Sequence, residues 1–83
     1  MTEAEIVDLV KRTLFGIAPE FEGEEIEPET PMREQFEIDS MDFLNFIVAL
    51  HEATKIEIPE ADYPEMETLK GCVAYLQKKD PNL

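Results

Sequence analysis

From Ser40 to Thr54 the sequence leaves almost no polar surface on a helical wheel. Phe43, Leu44, Phe46, Ile47, Val48 and Leu50 cover most of the circumference, and Asp42, Asn45 and Glu52 form one narrow polar stripe. Asp39 or Ser40 can cap this helix. A helix apolar on so many sides either runs through the middle of a bundle or lends its surplus face to partners. That surplus predicts that Met41 and Leu44 lie exposed.

Two further helices can surround it. Thr2 and Glu5 have capping-box spacing at the start of a helix to about Phe15. Ile6, Val10, Thr13 and Leu14 recur there at helical spacing, Lys11 and Arg12 fall in the last turn, and Gly16 is the expected stop. The last helix spans about Thr68 to Lys78, on Leu69, Cys72, Val73 and Leu76. A single turn at Glu60 to Tyr63 is expected to close at Pro64, which disfavours helix at the residue before it. Residues 16 to 39 carry no long periodic run. Ile17, Phe21, Ile26, Met32 and Phe36 recur among the prolines and glutamates, so this long first loop reads as pinned across a core. Thr30-Pro31 can start one short turn, with Thr30 as cap and Pro31 in the first helical position. The expected fold is all-α: a small antiparallel bundle of three longer helices plus one short helix, over residues 1–83 as one domain.

Charge narrows the function classes. Seven Lys+Arg against 20 Asp+Glu give a net charge of −13. Nucleic acid and anionic membranes would repel such a surface, and partners with basic docking surfaces suit it. The core of an 83-residue chain leaves little room for a deep site with several placed catalytic groups, which argues against an enzyme. Cys72 is the only cysteine and sits among apolar neighbours, as a buried core thiol does. No apolar run approaches a membrane span, and the acidic start lacks the basic opening of a signal peptide, so a cytoplasmic protein is expected; the expected state is a monomer.

There is no glycine-rich phosphate loop, no metal-spaced His/Cys cluster and no calcium loop. His51 is the only histidine, and it lies along the helix from Ser40 rather than opposite it, as a boundary residue. The informative stretch runs from Phe36 to Leu44. It places Ser40, the only serine in the chain, at the joint between the long loop and the most apolar helix. A helix N-terminus tolerates an attached phosphate, and a serine there is accessible to another enzyme. On the local pattern alone, a simple helix cap is the favoured reading of Asp39-Ser40, the commonest job for this pair at such a joint.

Asp39-Ser40-Met41 before an amphipathic helix resembles the attachment site of the acyl carrier protein family. The resemblance extends over the first helix, the proline-bearing loop, the Ile56-Glu57-Ile58-Pro59 turn and the Thr68-Leu69 helix start. It implies that Ser40 receives 4'-phosphopantetheine from coenzyme A through a separate Mg-dependent phosphopantetheinyl transferase. It implies that Asp39 and Asp42 help that transferase dock, and that Met41, Leu44 and Val48 meet acyl-loading and acyl-transfer enzymes. It places Phe46, Ile47, Leu50, Ile58, Met66 and Cys72 where the family lines an interior that shelters an acyl chain, positions that ordinary core packing also explains. It implies no metal site and no catalytic residue in the chain itself.

Three departures stand out. Glu37 occupies a position that is usually Gly in the family, and Gly permits backbone angles that Glu resists, so a different turn is expected there. Asn45 and His51 stand where fatty-acid carriers are often acidic. Pro64 interrupts the short helix. These point to a specialised free-standing carrier rather than the housekeeping one. A D-alanyl-type carrier, which also uses Asp-Ser-Met, and an unmodified acidic adaptor in which Ser40 is only a cap are the alternatives.

Overall fold

The computed structural model describes residues 1–83. Its longer helices are α1 (Glu3–Ile17), α3 (Ser40–Thr54) and α4 (Leu69–Lys79). A short α2 (Met32–Gln35) precedes α3, one 3-10 turn covers Pro19–Phe21, and a longer 3-10 segment covers Glu60–Met66. There is no strand, and the fold is the expected all-α bundle.

Each longer helix starts on the cap its sequence offers. The Thr2 hydroxyl accepts from the Glu5 amide at 3.2 Å while the Glu5 carboxylate accepts from the Thr2 amide at 2.8 Å. The bond from the Thr2 backbone holds the Glu5 carboxyl below its ordinary pKa. Asp39, not Ser40, caps α3 by accepting from the Asp42 amide at 2.8 Å. Thr68 caps α4 by accepting from the Gly71 amide at 2.9 Å. At the far end of α3, Lys55 takes a left-handed conformation (φ 62°) and His51 Nδ1 lies 2.8 Å from the Ile56 carbonyl oxygen.

Three local expectations need correction. Gly16 does not stop α1, which continues to Ile17, so Lys11 and Arg12 are not in its last turn; Arg12 pairs instead with Asp8 one turn back at 2.8 Å. Pro31 is the residue before α2 rather than its first helical residue, and the Thr30 side chain makes no cap. Pro64 does not close a turn at Tyr63. It lies inside the 3-10 segment, whose φ range matches the angle the proline ring imposes.

One continuous core joins these elements. Ile6, Val10 and Leu14 of α1 meet Phe43, Phe46, Ile47 and Leu50 of α3 and Leu69, Cys72, Val73, Tyr75 and Leu76 of α4. The long loop is pinned into it by buried Ile26, Met32 and Phe36, with Ile17 and Phe21 half-buried against them. Phe36 takes an edge contact from Phe15 (centroids 6.3 Å apart) and packs on Phe21 at 5.1 Å. Gln35 staples the loop from within: its amide donates to the carbonyls of Glu27 (2.8 Å) and Thr30 (2.7 Å), and its oxygen accepts from the Glu27 amide at 2.8 Å. Two main-chain bonds tie the loop to the start of α4, Met32 N–H to the Glu67 carbonyl at 2.7 Å and Lys70 N–H to the Pro28 carbonyl at 3.0 Å. At Gly71, α4 approaches the 3-10 segment so closely that a Cβ would collide with the Glu65 carbonyl and lie 2.8 Å from the Thr68 hydroxyl.

Candidate functional site

The turn between α2 and α3 sets the site. Glu37 is left-handed (φ 51°), and the Ile38 amide reaches back to the Arg33 carbonyl at 3.1 Å. This is the helix-ending arrangement that ordinarily uses glycine. The turn is therefore kept, and a glutamate carries the conformational cost. Its effect is to bury Ile38 and turn Asp39 and Ser40 outward. Ser40 is then the first residue of α3 and is exposed.

Beside Ser40 lies an open groove of about 460 Å³ between α3 and the 3-10 segment. Arg33, Ser40, Phe43 and Leu44 line one side, and Tyr63 and Pro64 the other, with Glu60 and Glu67 at the margin. The Tyr63 ring stands edge-on to Phe43, with centroids 6.4 Å apart. Tyr63 also borders a second groove of about 330 Å³, where Ile47 and Ile58 meet Val48, His51 and Pro59.

Arg33 is the side chain that sequence reasoning missed. It donates from Nη2 to Ser40 Oγ at 3.2 Å, and its guanidinium carbon lies 5.3 Å from the centre of the Phe43 ring. Nothing in the spacing of Arg33 and Ser40 announces this meeting, because the left-handed turn at Glu37 is what brings them together.

The remaining positions divide by burial. Met41, Leu44 and Val48 form one stripe along α3 and are 72%, 44% and 45% exposed, large values for apolar side chains. Asp39 is exposed and Asp42 half-buried. Phe46, Ile47, Leu50, Met66 and Cys72 are buried in the core, whereas Ile58 is half-buried against its edge. Burial pushes the Cys72 thiol up to about 12, so it is protonated and unreactive at neutral pH.

Residues 5–76 match the family described as a phosphopantetheine attachment site. An acyl carrier protein of Syntrophobacter fumaroxidans is 33% identical over 76 residues, covering 92% of this chain and 88% of the relative. The chain belongs to the acyl carrier protein family. The acyl carrier protein of Helicobacter hepaticus is 34% identical over 56 residues, 68% of this chain and 74% of the relative. That of Thermosynechococcus vestitus is 27% identical over 79 residues, 95% of this chain and 96% of the relative. The cofactor of this carrier is 4'-phosphopantetheine. The surroundings of Ser40 fit it: an exposed hydroxyl stands at the mouth of a groove walled by Leu44, Tyr63 and Pro64. No helix is long and apolar enough to cross a membrane.

Proposed function

We propose that this carrier receives the arm on Ser40 and presents acyl groups to partner enzymes in a specialised pathway. The observation that carries the reading is the position of Ser40: the only serine in the chain, exposed at the first residue of α3, inside the matched span. The arm, when attached, supplies a terminal thiol that holds an acyl group as a thioester. The chain's own residues supply address and shelter, and catalysis belongs to the partners.

In this reading Asp39 and Asp42 help a phosphopantetheinyl transferase dock. The stripe of Met41, Leu44 and Val48 then meets acyl-loading and acyl-transfer enzymes, whose basic surfaces suit a net charge of −13. Ile47 and Ile58 give an acyl chain its way in past Tyr63 along the second groove, towards Phe46, Leu50, Met66 and Cys72. The chain works as a cytoplasmic monomer, with residues 1–83 as one domain. The specialised role is supported by Glu37, Asn45 and His51, where fatty-acid carriers are often glycine or acidic.

Intact mass after treatment with coenzyme A and a broad-range transferase tests the attachment. The wild-type chain should gain one arm, and Ser40→Ala should gain none while keeping its helicity, since Asp39 is the cap of α3. Modification persisting in Ser40→Ala would overturn the site. A wild-type chain that takes no arm would favour the unmodified adaptor.

A further inference from the structure

The Arg33 guanidinium has donors to spare. In a chain with 20 Asp+Glu it pairs with none of them; the ion pairs are Arg12 with Asp8 and Lys70 with Glu29. Glu60 and Glu67 line the same groove, yet neither reaches the guanidinium. It lies over the buried Phe43 ring, and its one side-chain hydrogen bond goes to Ser40 Oγ. It is also the only Lys or Arg lining the groove.

A neutral hydroxyl is a weak acceptor for a half-buried guanidinium. Once that oxygen is esterified to phosphorus, the acceptors within reach become two non-bridging oxygens that share one negative charge, two bonds beyond Oγ. The bond then becomes charge-assisted, and a guanidinium fork matches a pair of phosphate oxygens where an ammonium does not. The new anion also arrives among carboxylates, with Asp39 capping α3, Asp42 in its first turn, and Glu60 and Glu67 lining the groove. A local cation offsets that repulsion.

We propose that Arg33 is a positioning residue for the arm: it holds the phosphodiester on Ser40 and lays the pantetheine portion along the groove between Leu44, Tyr63 and Pro64. This rests on the Ser40 reading above. A role for Arg33 confined to packing on Phe43 is the competing view, and it makes no demand on the arm.

The test compares wild type, Arg33→Gln and Arg33→Lys, each loaded with an arm labelled with nitrogen-15 and checked by intact mass and helicity. The readouts are the phosphorus-31 shift of the phosphodiester, the Arg33 Nε–H resonance before and after loading, and order parameters of the pantetheine amides. In wild type the Nε–H resonance should move on loading, and the amide nearest the phosphate should have an order parameter above about 0.6. In Arg33→Gln that value should fall below about 0.6 with a shifted phosphorus line, and Arg33→Lys should lie between. A fully loaded, folded Arg33→Gln chain whose arm behaves as in wild type overturns this inference alone. A wild-type chain that takes no arm overturns the Ser40 reading and this inference with it. Should Arg33→Gln lose helicity, Arg33→Lys decides: an arm order and phosphorus shift identical to wild type would overturn this inference, and values moved towards a free arm would support it.

Discussion

The Cys72 thiol donates a hydrogen bond of 3.1 Å to the Met66 carbonyl oxygen, joining the buried face of α4 to the end of the 3-10 segment. Burial raises this thiol from an ordinary 9.0 to about 12. Tyr75, on the same helix, is raised from 10.0 to about 12 by burial and by its 2.7 Å bond to Asp62. Above pH 9 the unfolded chain releases these protons while the folded chain keeps them. The unfolded state then binds fewer protons, so stability is full below pH 9 and falls as pH rises towards about 12. Urea unfolding on both sides of pH 9 should show this loss, and Cys72→Ala should make it shallower. Equal alkaline slopes in the two proteins would mean that Cys72 takes no part.

Met41 and Phe46 should separate docking from folding. Met41 is 72% exposed, so Met41→Ala should change stability by no more than about 0.5 kcal/mol. Phe46 is 1% exposed, and Phe46→Ala should cost about 3–5 kcal/mol. Loading by the cognate enzyme should nonetheless slow in Met41→Ala, because exposed apolar anchors carry much of an interface's energy. Melting temperature and loading rate on the same variant check this; unchanged loading would remove Met41 from the docking face.

Glu37 should behave as a strained position. A left-handed conformation costs an L-residue other than glycine about 1–2 kcal/mol. Glu37→Gly should therefore raise stability by about 1 kcal/mol, after the extra freedom of glycine in the unfolded chain is subtracted. Glu37→Val should lower it by about 1–2 kcal/mol. Denaturant midpoints settle the order, and a Val variant as stable as the Gly variant would mean that the turn does not demand a positive φ.

Salt should stabilise the fold. The two ion pairs, Arg12 with Asp8 and Lys70 with Glu29, are both exposed, so screening them sacrifices little attraction. Repulsion within a net charge of −13 is screened at the same time. The melting temperature should rise between low and physiological ionic strength, and a value indifferent to salt would count against this balance.

The helices and their caps were legible because they depend on residues close in sequence. Thr2 with Glu5, Asp39 with Asp42 and Thr68 with Gly71 each lie within one turn. Gly16 misled because glycine only lowers helix propensity without forbidding the helix; α1 runs on to Ile17, with Ala18 as its C-cap. The loop's apolar anchors were legible by their spacing, but Gln35 was not. A polar side chain that satisfies three main-chain groups looks, in sequence, like any other surface residue. At the site, Ser40 was marked by its position before an apolar helix. Arg33 and Tyr63 reach it only through the backbone turn at Glu37 and the course of the 3-10 segment.

The bonds from Met32 to Glu67 and from Lys70 to Pro28 bear on how the chain is made. They join the middle of the sequence to its last helix. During synthesis this loop leaves the ribosome before its main-chain partners at Glu67 and Lys70 do. The platform that presents Ser40 is therefore completed only once α4 has emerged, and a transferase that needs that platform meets its substrate no earlier than that.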